Sequence, residues 1–96
     1  MKDDVRFRFR IFVAENAVNS VLAVANLRAI CKAHLPDQHE IEVVDVFNHP
    51  QRALAEKIIM TPTLVILEPA PVRRIVGNLS ETPLVLNTLG LGSTTT

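Results

Sequence analysis

Ile58-Ile59-Met60-Thr61-Pro62-Thr63-Leu64-Val65-Ile66-Leu67 decides the fold of this chain. A helical tail runs into Thr-Pro-Thr and from there into an apolar strand, with no glycine or polar loop between them. A proline in that place, directly ahead of a buried strand, is a position for a cis X-Pro bond. Only about 5% of X-Pro bonds in folded proteins are cis, so a fold that fixes one there uses it.

Working outward, Arg6-Phe7-Arg8-Phe9-Arg10-Ile11-Phe12-Val13-Ala14 alternates with period two. It reads as a strand with Phe7, Phe9, Ile11 and Val13 on one face and three arginines on the other, a solvated surface. From Ser20 to His34, Ala23, Val24, Leu27, Ile30 and Cys31 recur at helical spacing, with Asn19 or Asn16 as N-cap. The turn at Pro36-Asp37 leads to a β-branched strand over 41–47, expected to run parallel to the first. Asn48-His49-Pro50 starts a second helix, with Asn48 as its cap and Gln51 to Met60 as its body. Its core side would be Ala53, Leu54, the stem of Lys57, and Ile58. Thr63 to Leu67 and Val72 to Val76 then form an antiparallel hairpin around Glu68-Pro69-Ala70-Pro71. Gly77-Asn78 breaks the second strand, and Ser80-Glu81-Thr82-Pro83 opens a last helix, Leu84 to Leu89, stopped by Gly90. There is no internal repeat.

The order βαβαββα is that of an α/β thioredoxin-like domain, a mixed sheet covered by helices, and Thr61-Pro62-Thr63 matches the turn beside a thioredoxin active site. The redox half of that site is missing. A thioredoxin carries Cys-x-x-Cys where its first long helix begins and the dipole can hold a thiolate, whereas this chain reads Ala14-Glu15-Asn16-Ala17-Val18-Asn19-Ser20. The lone thiol, Cys31, lies inside the predicted helix and reads as a small core hydrophobe.

Ninety-six residues suit one domain, 1–96, with a core over about 6–90 and a disordered tail over 91–96. Ten basic and ten acidic side chains cancel, so no global field draws the chain to nucleic acid or an anionic membrane. With no Trp or Tyr and only four Phe, an aromatic platform for single strands is hard to build. No apolar run approaches the roughly 18 residues of a membrane span, and Met-Lys-Asp-Asp lacks the apolar core of a signal peptide. A soluble cytoplasmic protein is the expectation.

Catalytic chemistry finds little support. His34, His39 and His49 have no ligand-like spacing to Cys31 or to a carboxylate, so no metal is expected. The three glycines, at 77, 90 and 92, make no phosphate loop, and no cofactor is expected. Glu42 and Asp45 have opposite parity on their strand and cannot face one another as an acid/base pair. Ser20 could act as a glutathione-activating hydroxyl, since glutathione transferases share the fold and the turn, but no second domain exists to hold an apolar substrate. A binding protein is the reading that remains.

Several segments carry a more specific resemblance. Phe12-Val13-Ala14 followed by Asn19-Ser20, Val44-Asp45-Val46, Asn48-His49-Pro50-Gln51, Lys57-Ile58, Thr61-Pro62-Thr63-Leu64 and, most specific, Pro71-Val72-Arg73-Arg74-Ile75-Val76-Gly77-Asn78-Leu79-Ser80 are similar to the circadian clock family KaiB. The match runs from about Phe7 to Ser80. The resemblance implies a non-enzymatic protein that binds the ATPase ring of a KaiC-type protein, helps to sequester a KaiA-type activator and influences a histidine kinase. Arg73 and Arg74 lie on opposite faces of a strand, so at least one must reach solvent or a partner; with Lys57 they are the candidate partner-binding residues. A thioredoxin-like adaptor in stress response or histidine-kinase signalling is the alternative, and a glutathione-binding enzyme a remote one.

The resemblance also implies metamorphism, in which an associating ground-state fold, dimer or tetramer, of order βαββααβ exchanges with a thioredoxin-like monomer. Ile58-Ile59-Met60 and Leu84-Val85-Leu86 are β-compatible runs in segments read as helical, so local preference leaves their state open. Phe7, Pro62, Pro69, Pro71 and Gly77 are the fold-switch and cis-proline candidates. The chain departs from the family at Glu15 and Asn78, where members often carry Gly and Asp, at Ala70, commonly proline, and at Thr88 and Gly90.

Overall fold

The alternation in the first strand sets the two faces of the sheet. A computed structural model describes residues 5–92, with β1 (Phe7–Val13), α1 (Val18–His34), β2 (His39–Asp45), α2 (Pro50–Ala55), β3 (Thr63–Glu68), β4 (Arg73–Val76) and α3 (Thr82–Thr88). The sheet order is β2-β1-β3-β4, with β1 parallel to β2 and antiparallel to β3, and β4 antiparallel to β3 at the edge. This is the expected thioredoxin-like βαβαββα arrangement.

Because side chains alternate across a sheet, Phe7, Phe9, Ile11 and Val13 share one face with Leu64 and Ile66. Ala23, Leu27, Ile30 and Cys31 of α1 pack on them, and so do Leu79, Val85 and Leu89 at and around α3. The opposite face carries a smaller core of Phe12, Val44 and Val65, against which Val46, Ala53 and Ile58 lie. Burying a Phe or Leu fully contributes about 1.5–3 kcal/mol, so the α1/α3 face carries most of the stability. The smaller cluster leaves the rest of its face to charged side chains.

Several boundaries differ from the sequence expectation, each for a local reason. Helix α1 starts at Val18 after Ala17, with no side-chain cap, so neither Asn16 nor Asn19 caps it. The Ser20 hydroxyl is instead turned back to accept the Ala14 N–H at 2.9 Å. Strand β2 begins at His39 rather than Ile41 because the parallel register pairs Phe7 with His39, and it ends at Asp45. There the Asp45 carboxylate accepts the Phe47 N–H at 2.8 Å and turns the chain.

Helix α2 is the largest correction. It is flanked by His49 rather than capped by Asn48, and it ends at Ala55 instead of Met60. Lys57 adopts φ 57°, with its N–H on Leu54 O at 3.0 Å and the Ile58 N–H on Ala53 O at 2.9 Å. That pair of bonds is a Schellman closure, which stops a helix within one residue. Leu54 points to solvent, 76% exposed, and is no part of the core. Helix α3 closes in the same way on Gly90, at φ 79°, as expected. Residues 93–96, most of the tail expected to be disordered, lie outside the described residues.

Candidate functional site

The loop that would hold two thiols in a thioredoxin runs from Ala14 to Ser20, with Glu15 at φ 40°. Ser20 is buried and its hydroxyl oxygen accepts the Ala14 N–H, which ties the side chain to its own loop. Together with Val13, Glu15, Val21, Arg28 and Val43, Ser20 lines a hollow of about 380 Å³ that contains no thiol. Cys31 is buried in the core and desolvation pushes its thiol up to about 11, the opposite of an activated cysteine. Among the described residues no group of His, Cys, Asp and Glu could hold a metal.

Three of the six prolines flank β3, Pro62 at its start and Pro69 and Pro71 in the connection that follows it. Thr61-Pro62, Glu68-Pro69 and Ala70-Pro71 are all cis. The Pro62 carbonyl accepts the Gly77 N–H at 3.0 Å, which joins the Thr-Pro-Thr turn to the end of β4, and Gly77 takes φ 120°, a conformation suited to glycine. Phe7, the remaining fold-switch candidate, is buried and stacks on Phe9 with ring centroids 6.3 Å apart.

Of the three candidate docking cations, two come together and one is set apart. Arg74 is on the α2 face of β4, where it donates to the backbone carbonyls of Glu56 and Lys57 and lies 3.7 Å from the Glu56 carboxylate. Lys57 is exposed directly beside it. Arg73 is on the opposite face, bonded to the carbonyls of Pro69, Pro71 and Thr88. Around the Lys57–Arg74 corner the chain exposes large apolar side chains: Ile59 is 91% exposed, Met60 60% and Val76 54%. Val76 shares a sheet face with Arg74, and Ile59 and Met60 lead into the turn that Gly77 holds. Cations beside exposed apolar side chains make a surface suited to a protein partner.

The α2 face also holds an ion-pair lattice that the sequence reading left out. Arg8 pairs with Glu40 and Glu68; Arg10 pairs with Glu42 at 2.8 Å and Glu56 at 3.1 Å; Arg52 pairs with Glu42 at 2.7 Å. Through Glu56 the lattice continues to Arg74. Glu42 accepts from Arg52 and then Arg10, which hold its carboxyl down at about 2. The parallel register that pairs Arg8 with Glu40 and Arg10 with Glu42 is the signal that could have found it: two arginines two apart on one strand face two glutamates two apart on the next.

The KaiB domain family model matches residues 10–91 of the chain. The chain belongs to the KaiB family. It is 45% identical over 86 residues to the circadian clock protein KaiB3 of Synechocystis, covering 90% of this chain and 82% of that relative. To the circadian clock oscillator protein KaiB of Synechococcus elongatus it is 42% identical over 82 residues, 85% of this chain and 80% of the relative. Among solved structures, the N-terminal domain of Synechococcus elongatus SasA superposes with a TM-score of 0.73 at 19% identity, covering 96% of this chain and 90% of that domain. Chloroplastic thioredoxin z gives 0.74 at 20% identity, with 94% of this chain and 82% of that one covered. At such identities the likeness is one of fold, and this KaiB-family chain has the thioredoxin-like architecture without its Cys-x-x-Cys. No described helix is long and apolar enough to cross a membrane.

Proposed function

We propose that this KaiB-family protein is a non-enzymatic component of circadian or timing signalling that docks on a KaiC-type hexameric ATPase. The observation that carries the reading is the corner where Lys57 and Arg74 stand beside exposed Ile59, Met60 and Val76. Arg74 is half-exposed even with its carbonyl contacts, so it can meet a partner carboxylate. The loop without thiols and the buried, unactivated Cys31 support the non-enzymatic part. A KaiA-type protein or a histidine kinase is then a further partner of the bound form. In a second, self-associating state, dimer or tetramer, the region after Phe47 would repack, for which the β-compatible runs 58–60 and 84–86 are suited.

Gel filtration with a purified KaiC-type hexamer and ATP tests the reading. Co-elution with the hexamer is expected. Elution apart from it in every nucleotide state, with capture of a histidine kinase instead, would favour the adaptor alternative.

A further inference from the structure

The consecutive arginines of β4 each close a different helix, and that arrangement is independent of any partner. A helix leaves its last four carbonyls without intrahelical partners, and its C-terminal end carries partial negative charge. In α3 the Val85 carbonyl receives the Leu89 N–H, Leu86 receives that of Leu91 at 2.8 Å, and Asn87 that of Gly90 at 3.0 Å. The Thr88 carbonyl remains, and the Arg73 guanidinium donates to it from the neighbouring strand. In α2 the Schellman bonds occupy Ala53 and Leu54, and Arg74 donates to the carbonyls of the two residues just past its end, Glu56 and Lys57.

We propose that the Arg73-Arg74 pair is a two-sided clamp, by which one edge strand holds α3 on one face of the sheet and α2 on the other by their carbonyl ends. Strand alternation sends neighbouring side chains to opposite faces, so two consecutive arginines are the shortest sequence that reaches both helices. Each helix needs the help. They have six and seven residues, well below the length at which a helix is stable alone; α2 has no buried residue, and α3 has no basic residue in its last turn. Arg73 also spans two segments, because its Nε donates to Pro71 O at 3.0 Å and its Nη2 to Pro69 O at 3.3 Å. The clamp therefore ties the β3–β4 connection to α3 as well. A guanidinium fork can serve several carbonyls at once, whereas a lysine ammonium acts as a point charge.

Hydrogen–deuterium exchange of the free protein, read residue by residue by NMR, separates the two arms. In Arg73→Gln the amides of Leu89, Gly90 and Leu91 should exchange about tenfold faster, the factor that corresponds to losing one hydrogen bond, while Lys57 and Ile58 keep the parent rate. In Arg74→Gln the pattern should reverse. Arg73→Lys should fall between parent and Arg73→Gln at α3, and it carries the comparison if the glutamine variant does not fold. Parent-like exchange at both helix ends, or equal acceleration of every amide including those of β1, would overturn the clamp. Because no ATPase is present, this outcome is separate from the docking test.

Discussion

At the scale of single residues, the ion-pair lattice on the α2 face turns on Glu42. Glu42 sits under two guanidinium groups, Arg52 first and Arg10 second, and its carboxyl lies at about 2 in the folded state against about 4.3 for a free glutamate. The folded value is the lower one, so the unfolded chain binds the extra proton between these two pH values. Stability from Glu42 is then complete above about pH 4.3 and falls as pH drops toward 2. Acid denaturation of Glu42→Gln should accordingly show a shallower pH dependence in that window than the parent. The difference should shrink in high salt, because the carboxylate is nearly half-exposed. A parent-like acid transition in the variant would show that the lattice contributes nothing to folding. Arg6 to Arg10 were legible as a polar strand face; their partners were not, because strand register is a long-range property that pairs residues 32 positions apart.

At the scale of elements, the helix that runs short is the most informative. Lys57 holds the left-handed position of a Schellman turn that α3 fills with Gly90. A side chain there costs about 1 kcal/mol relative to glycine. Lys57→Gly should therefore raise the stability of the thioredoxin-like fold by up to about 1 kcal/mol in urea unfolding while weakening docking on the hexamer. A variant that is both less stable and fully able to bind would contradict the assignment of Lys57 to the partner surface. The early end of α2 was hidden in the sequence because Glu56-Lys57-Ile58-Ile59-Met60 continues a helical apolar spacing with no glycine or asparagine to mark the stop. By contrast, Gly90 and Pro83 bracketed α3 from composition alone, and the alternation in 6–14 placed β1 and its buried face. Thr-Pro-Thr located the start of β3 for the same kind of reason, since proline constrains the backbone locally whatever packs around it.

At the scale of the molecule, the two halves are held differently. β1 and α1 bury most of their apolar side chains in the large core of Phe9, Ile11 and Leu27, whereas of the two later helices only α3 reaches that core, through Val85, and α2 buries no residue. If a second fold is populated, NMR should show doubled backbone signals from about Asn48 to Leu89 and nearly single ones from Phe7 to Phe47. A gap of a few kcal/mol corresponds to a minor state of about 0.1–10%, and dilution should favour the monomeric form. Single signals at every concentration would confine the protein to the fold described here. The central claim is that the Lys57–Arg74 corner is where a KaiC-type ATPase is met, and charge reversal there tests it most directly. Titrating the hexamer with the parent and with Lys57→Glu/Arg74→Glu, under matched salt and nucleotide, should show affinity falling at least about thirtyfold, as expected for lost charge pairs worth about 2–5 kcal/mol, while Arg28→Glu on the opposite face binds as the parent does. Equal affinity of the double variant and the parent would place the partner elsewhere on the molecule.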